Sequence, residues 1–206
     1  MDTFWFVVEA IGTLAFAVSG IIEARSRHMD MVGVYTAAML TAFGGGTLRD
    51  TLFKREIFWI EHQWWAVVIF GLCLATWPLF RNPAKTVSAR NVQLSIDLTD
   101  ALGLAICAAL GASITLRVMP DKWFIAGIMA VVSSVFGGVL RDVVCNEIPN
   151  VFKRSQLYAT AAFLGGMVYV ALYGLGIAPQ ICFGAAFAVT LGLRVAAITF
   201  NLRLPV

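Results

Sequence analysis

The sequence predicts an all-α integral membrane protein with seven transmembrane helices, arranged as an inverted 3+3 repeat plus a seventh helix. Three observations predict this fold class. The 206-residue chain is 60% hydrophobic and only 13% charged, whereas soluble domains are about 25% charged. Seven apolar stretches have roughly the 20 residues that a membrane-spanning helix needs. A motif of glycines followed by an Arg-Asp pair occurs once in each half of the chain.

The seven predicted spans follow one another with short polar loops between them. Lipid offers no hydrogen-bond partner to the backbone, and the alternating pattern of barrel strands is absent, so each span is predicted to be a helix. The first span has no basic leader, so we expect a retained helix rather than a signal peptide. The predicted spans are residues 4–22, 31–53, 64–80, 98–116, 123–144, 157–175 and 181–200.

The repeat is visible in several segments. Residues 43–50 (FGGGTLRD) match residues 136–142 (FGGVLRD), and residues 9–12 (EAIG) match residues 100–103 (DALG). Downstream, Glu56 matches Glu147. Each unit holds an odd number of spans, so the second unit must enter the membrane upside down relative to the first. We therefore expect one membrane domain over residues 1–206, with repeat one at about 4–80, a connector at about 81–95, repeat two at about 96–175 and the seventh helix at about 181–200.

The glycines of the motif are candidate pore or kink residues. Each glycine in the interior of a helix costs about 0.8–1 kcal/mol relative to alanine, so consecutive glycines predict a kink or break in spans two and five. A broken helix at membrane depth would line a pore or a cavity. The alternative is close helix packing without any pore. These glycines are Gly44, Gly45, Gly46, Gly137 and Gly138.

The charged residues of the motif are Arg49, Asp50, Arg141 and Asp142. A lone arginine at the centre of a bilayer costs at least about 2.5–3.5 kcal/mol, so these side chains are expected to face the bundle interior. Adjacent residues point about 100° apart on a helix, which favours pairing across the repeat interface, Arg49 with Asp142 or Arg141 with Asp50. The alternatives are structural ion pairs or snorkelling near the span ends.

Three further charged residues lie in or near the spans. Glu9 and Asp100 occupy equivalent positions in spans one and four, where they could form a vestibule that concentrates cations or could simply be exposed at the interface. Arg194 lies in span seven beside small residues at four-residue spacing, which favours tight helix packing.

The loops predict the orientation and exclude several classes of protein. Eight basic residues lie on one side and four on the other, which places the N-terminus outside and the C-terminus in the cytoplasm of a multi-pass cell-membrane protein. The chain lacks a P-loop lysine, a nucleophile elbow, metal-ligand spacing and a basic nucleic-acid stripe. We expect no enzyme activity, no cofactor or metal, and no nucleic-acid partner.

The double motif, with residues 146–149 (NEIP) after the second copy, closely resembles the prokaryotic TRIC family of trimeric intracellular cation channels. The resemblance implies a homotrimer among membrane lipids, with one pore per subunit that passes monovalent cations, chiefly potassium, so the permeant ions are potassium or sodium. It implies that spans two and five are kinked at the glycines and line the pore, with the motif charges in the kink and pore regions. Our own hypothesis is that Arg49 and Arg141 gate or constrict this path. A bound lipid could accompany the trimer. The same domain type is also labelled a glycine transporter, so a secondary transporter of a small solute such as glycine is the alternative.

Overall fold

The computed structural model describes residues 3–80, 89–152, 157–200 and 202. Across these residues the chain forms eight α-helices and one short 3-10 turn, and they contain no β-strand. The all-α fold class is therefore confirmed. The helices are α1 (Thr3–Ser26), α2 (Met31–Leu52), α3 (Phe58–Glu61), α4 (Trp64–Phe80), α5 (Ala89–Val118), α6 (Trp123–Val144), α7 (Ala159–Gly174) and α8 (Pro179–Phe200), and the 3-10 turn is Asn150–Phe152.

Five helices, α1, α2, α5, α6 and α8, are long and apolar enough to cross a membrane. The other two predicted spans form α4 and α7, which are apolar but have only 17 and 16 residues. At 1.5 Å per residue they are about 24–26 Å long, slightly shorter than the roughly 30 Å hydrocarbon layer. Helices of this length can span the membrane where they pack against longer neighbouring helices or where the bilayer is locally thinner.

The predicted connector at residues 81–95 differs from the structure in its second part. Residues 81–88 lie outside the described residues, whereas residues 89–95 already belong to α5. Polar residues in this first part of α5 bond within the helix: Gln93 Nε2 donates to Asp97 Oδ1 at 3.0 Å, and Ser95 Oγ donates to the Asn91 carbonyl at 2.9 Å. These residues are polar because they face solvent or headgroups. Because an exposed helix and a loop can both be polar, the polarity of residues 89–95 did not show that they form a helix.

The core of the bundle is formed by α1, α2, α5 and α6, with α7 and α8 packed against α5. α5 is the most enclosed of these five helices: 78% of its most apolar 18-residue stretch is buried, against 33% of the corresponding stretch of α8. Small residues make this close packing feasible, since Ala105, Ala108, Ala109 and Ala112 of α5 have no exposed surface. α5 is therefore central, while α8 leaves much of its surface for lipid or for another chain.

The ends of α2 and α6 show the internal symmetry in the backbone. α2 is followed by Lys54 with φ 51°, and α6 is followed by Asn146 with φ 57°, which places both residues in the left-handed region. In both copies the next amide, that of Arg55 or Glu147, donates to the carbonyl of the motif aspartate at 2.8 Å. The structural counterpart of Glu147 is therefore Arg55, and the sequence match between Glu147 and Glu56 is corrected by one residue.

The packing of α1 and α5 repeats in the same way. Gly20 of α1 lies against Ala37 and Ala38 of α2, while the Gly20 counterpart in α5, Gly111, lies against Met129 and Ala130 of α6. The two pairs of contacts are related by an offset of 91 or 92 residues. The contact between the first two helices of repeat one is thus repeated between α5 and α6.

Candidate functional site

The motif glycines lie where α2 and α6 cross. Gly45 faces the carbonyl oxygen of Ser133, and Gly137 faces the carbonyl oxygen of Thr41, each so closely that an added Cβ would overlap the oxygen. Gly44 also lies against Gly137. Since Ser133 is the repeat counterpart of Thr41, and Gly137 that of Gly45, the crossing is symmetric. Here small residues let two backbones approach closely.

Both helices are continuous through their glycines, from Met31 to Leu52 in α2 and from Trp123 to Val144 in α6. The predicted break is therefore wrong for this structure, whereas a kink stays a prediction. The physical reason is that the partner helix at the crossing stabilises a helical backbone that glycine alone would leave weak. Gly46 and Gly138 are not part of this contact: a Cβ added to Gly46 would lie 3.8 Å from Arg49 Nη2, and one added to Gly138 would lie 2.9 Å from Tyr158 Oη and 3.7 Å from Arg141 Nη2.

The first buried cluster joins α1 to the end of α2. Arg49 Nη2 donates to Glu9 Oε1 at 2.7 Å, and its Nε and Nη2 donate to the two carboxylate oxygens of Asp50 at 2.8 and 2.9 Å. The Arg49 and Asp50 side chains are each 2% exposed, and Glu9 is 13% exposed. Arg55 approaches Asp50 at 3.9 Å from a largely solvent-accessible position. We call Glu9, Arg49 and Asp50 the first cluster.

The second buried cluster repeats this arrangement in α5 and α6. Arg141 Nη1 donates to Asp100 Oδ1 at 2.8 Å, and Arg141 Nε donates to Asp142 Oδ1 at 2.9 Å. Two groups from other elements complete it. Ser19 Oγ of α1 accepts from Arg141 Nη1 at 2.7 Å, and the Asn150 amide donates to Asp142 Oδ2 at 2.9 Å. We call Asp100, Arg141 and Asp142 the second cluster.

These clusters correct the predicted pairing across the repeat interface. Arg49 binds Glu9 and Asp50, and its counterpart binds Asp100 and Asp142, so each arginine pairs within its own repeat. The helical angle between neighbours did not decide the pairing, because an arginine side chain is long enough to fold back and present its planar fork to the next residue. Glu9 and Asp100 are ion-pair partners of the arginines rather than freely exposed acids.

Each cluster contains two carboxylates and one guanidinium. With all groups ionised, the three groups of each cluster therefore sum to a formal charge of −1, and in the first cluster Arg55, 3.9 Å from Asp50, offsets part of this charge. A charged group buried without full compensation is costly in low dielectric, and in membrane proteins such groups commonly mark ion pathways. The electrostatics of both clusters favour a mobile cation over an anion.

A small pocket opens onto the first cluster. Its volume is about 20 Å³, enough for roughly one water molecule, and its lining includes Glu9 and Arg49. Trp59 of α3 closes one wall: its ring stacks on Phe43 at 5.5 Å, and its Nε1 donates to Thr47 Oγ1 at 3.1 Å. The carboxylate with the greater exposure, Glu9, is thus the one beside a space that can hold water.

The seventh span supplies a further buried arginine near the second cluster. Arg194 is 3% exposed, its Nη1 donates to the Leu157 carbonyl at 3.2 Å, and its guanidinium lies 4.7 Å from the centre of the Tyr158 ring. The predicted role in tight packing therefore describes only part of its surroundings.

Sequence reasoning missed three residues around the second cluster: Ser19, Tyr158 and Asp97. Ser19 and Tyr158 carried no usable signal, because isolated residues of these types in apolar spans are ordinary. Asp97 carried one, since it lies one helical turn before Asp100 on the same helix.

Taken together, these features define a class of protein. The chain is a multi-pass, all-helical membrane protein that is built from two inverted repeats and buries charged clusters between its helices. It belongs to the TRIC/UPF0126 family, whose model carries the description "Glycine transporter" and matches residues 6–81 and 97–174. The family assignment made from the double motif is thereby confirmed.

Similar proteins span nearly the full chain. A UPF0126 membrane protein of Vibrio cholerae is 36% identical over 201 residues, which is 97% of this chain and 81% of the relative. The crystal structure of a TRIC trimeric intracellular cation channel orthologue from Rhodobacter sphaeroides is 30% identical, with a TM-score of 0.87 over 98% of this chain and 100% of that one. A prokaryotic TRIC channel crystallised in 0.5 M KCl is 27% identical, with a TM-score of 0.88 over 99% and 100% of the two chains.

Proposed function

We propose that this protein is a homotrimeric cation channel that prefers potassium and has one pore in each subunit. The observation that carries the proposal is the pair of clusters, each buried and each with one carboxylate more than its arginine can neutralise. The fold supports it, because the similar solved structures are described as cation channels. No catalytic step is part of the proposal.

Charge supports cations over anions in this setting. In a low-dielectric interior a formal charge of −1 attracts a cation strongly, and rings or clusters of carboxylates are the usual means by which cation channels select the sign of the ion. The arginines keep the clusters from binding a cation too tightly, since conduction requires that the ion also leave. A weakly negative site therefore suits passage better than a strongly negative one.

The proposed path runs along α2 and α6, between the two clusters. Gly46 leaves space beside Arg49, and Gly138 faces the hydroxyl of Tyr158 beside Arg141, while the glycine crossing holds the two helices together between these points. In this proposal the arginines constrict or gate the path, and a kink at the glycines accompanies opening. Motion of either arginine away from its carboxylates would expose the negative charge to the ion.

Assembly and orientation are also part of the proposal. A homotrimer in membrane lipid is supported by the description of the Rhodobacter sphaeroides relative as trimeric, and a bound lipid is part of the same proposal. The basic residues of the loops support an outside N-terminus and a cytoplasmic C-terminus. Reporter fusions at each end test the orientation: the expected result is a cytoplasmic signal from the C-terminal fusion only.

Recording from single channels of the purified protein in a planar bilayer tests the proposed function. We expect unitary steps in potassium chloride, and we expect replacement of both Arg49 and Arg141 by alanine to change the conductance or the open probability while the trimer persists. A control variant, Arg25→Gln, removes one arginine outside both clusters. Unchanged single-channel behaviour in the double variant would exclude the arginines from the path.

A second candidate function is secondary transport of glycine or a similar small solute, which the description of the family model favours. Uptake of labelled glycine into liposomes distinguishes the two functions. A transporter would show saturable, gradient-driven uptake and no unitary currents. A channel would show the currents and no saturable uptake of glycine.

A further inference from the structure

The two clusters have the same arrangement of one arginine and two carboxylates, but their surroundings differ. α8 has no counterpart in repeat one, and it packs against α5 and α7. It brings in Arg194, whose Nε has no hydrogen-bond partner among the described residues although it is fully buried. An arginine at this depth with one carbonyl bond and one ring contact is incompletely satisfied, which indicates a role beyond packing.

Tyr158 connects Arg194 to the second cluster. Its ring lies under the Arg194 guanidinium, and its hydroxyl points toward Gly138: a methyl group on Gly138 would lie 2.9 Å from Tyr158 Oη and 3.6 Å from Asp100 Oδ1. The hydroxyl is buried and interacts with the Asp100 carboxylate. Arg194, Tyr158 and Asp100 therefore form a continuous series of polar groups from α8 to α5.

Asp97 extends the same series toward the surface. It is half-buried and lies one turn before Asp100 on α5, and its carboxylate accepts from Gln93 at 3.0 Å. It interacts electrostatically with Arg194 as well as with Asp100. The repeat-one counterpart, at an offset of 91 residues, is Phe6. We call the surface around Asp97 the second-repeat mouth.

We infer that Asp97 and Arg194 set, with opposite signs, the charge that a cation meets at the second-repeat mouth. The inference rests on the proposed channel function. Asp97 attracts the cation where the second cluster approaches the surface, and Arg194 limits that attraction from the buried side through Tyr158. Repeat one has an aromatic residue in place of the acid, so the two ends of the path differ in charge.

This difference predicts an effect on rectification, the inequality of current in the two directions. Asp97→Asn is expected to lower the conductance for cations that enter at the second-repeat mouth by about twofold or more in 0.1 M KCl. Arg194→Gln is expected to raise it. Because the Debye length falls from about 10 Å at 0.1 M to about 3 Å at 1 M salt, the effect of Asp97→Asn should shrink in 1 M KCl, whereas the effect of Arg194→Gln should shrink less, since salt screens a buried charge less.

Arg25→Gln is the matched control. Arg25 is also a buried arginine, 9% exposed, that binds a carbonyl, Cys73 O at 3.4 Å, and lies over an aromatic ring, that of Trp77 at 4.2 Å. Arg25→Gln loses the same charge and the same kinds of contact as Arg194→Gln, but the partners of Arg25 lie outside both clusters. Arg194→Lys keeps the charge, and the double variant with Asp97→Asn and Arg194→Gln restores the balance.

The experiment is single-channel recording of each variant in symmetric 0.1 M and 1 M KCl, with trimer elution and thermal stability as measures of folding. We expect Asp97→Asn and Arg194→Gln to change rectification in opposite directions. The double variant should rectify nearly as the wild type does, and Arg25→Gln and Arg194→Lys should leave rectification unchanged. The inference is overturned if the wild-type protein conducts and the two single variants leave rectification unchanged or shift it the same way. A wild-type protein that passes no cation current would instead refute the proposed function.

Discussion

Replacing Gly45 by alanine is the most direct perturbation of the α2–α6 crossing. The new Cβ would overlap the carbonyl oxygen of Ser133, a backbone atom of the facing helix that cannot rotate away. Gly46, the next residue, meets only Arg49 Nη2 at 3.8 Å, the far end of a flexible side chain. Gly45→Ala and Gly46→Ala therefore make the same chemical change on the same helix, one with a backbone clash and one without.

The magnitude follows from comparing the two variants. Both gain about 0.8–1 kcal/mol from the higher helix propensity of alanine, so this contribution cancels in the difference. Gly45→Ala alone must also separate the crossing, and overpacking of this kind costs about 1–3 kcal/mol. The melting temperature of Gly45→Ala is therefore expected to lie about 2–12 °C below that of Gly46→Ala, at about 2–4 °C per kcal/mol for a chain of this size.

Thermal unfolding of the purified protein in detergent, followed by loss of the monodisperse elution peak, measures the difference. Gly137→Ala should behave like Gly45→Ala, because its Cβ would overlap the Thr41 carbonyl oxygen. Equal melting temperatures for Gly45→Ala and Gly46→Ala would refute the close crossing, and with it the structural role of these glycines.

Three further predictions concern the clusters and their surroundings. Arg141→Gln leaves two carboxylates buried without their cation, a change that costs about 3–5 kcal/mol, and the folded yield should fall further than for Arg49→Gln, whose cluster adjoins space for water. Trp59→Phe keeps the stacked ring but loses the 3.1 Å bond to Thr47, so the free energy of unfolding should fall by about 1 kcal/mol, as read from thermal denaturation. Burial raises the pKa of the Cys145 thiol to about 11, so maleimide labelling of Cys145 at pH 7.5 should be slow in the folded protein and fast in SDS. Fast labelling in the folded protein as well as in SDS would contradict the burial of Cys145.

The fold class could be predicted because its signals are averages over many residues. Composition, span length and the offset between the two motifs each depend on long stretches, and lipid leaves the backbone few alternatives to the helix. The first part of α5 was harder, because residues 89–95 are polar, and an exposed helix and a loop can share that composition. The short helix α3 was also missed, since Phe58–Glu61 is a single turn whose formation depends on packing.

The members of the two clusters could be predicted, but their pairing could not. Arg49, Asp50 and Glu9 stood out because charge is rare in apolar spans. Which carboxylate an arginine binds depends on the crossing of two helices and on the reach of a flexible side chain, and a sequence contains neither. The contribution of Ser19 to the second cluster is of the same kind, because a serine in an apolar span becomes informative only when its neighbour across the bundle is known.

In the proposed function, a path controlled by two weakly negative clusters conducts cations. The measurement that tests it most directly is the reversal potential of single channels of the purified protein under asymmetric potassium chloride. We expect unitary currents that reverse near the potassium equilibrium potential. Currents that reverse near the chloride equilibrium potential, or a silent bilayer together with saturable glycine uptake into liposomes, would contradict it.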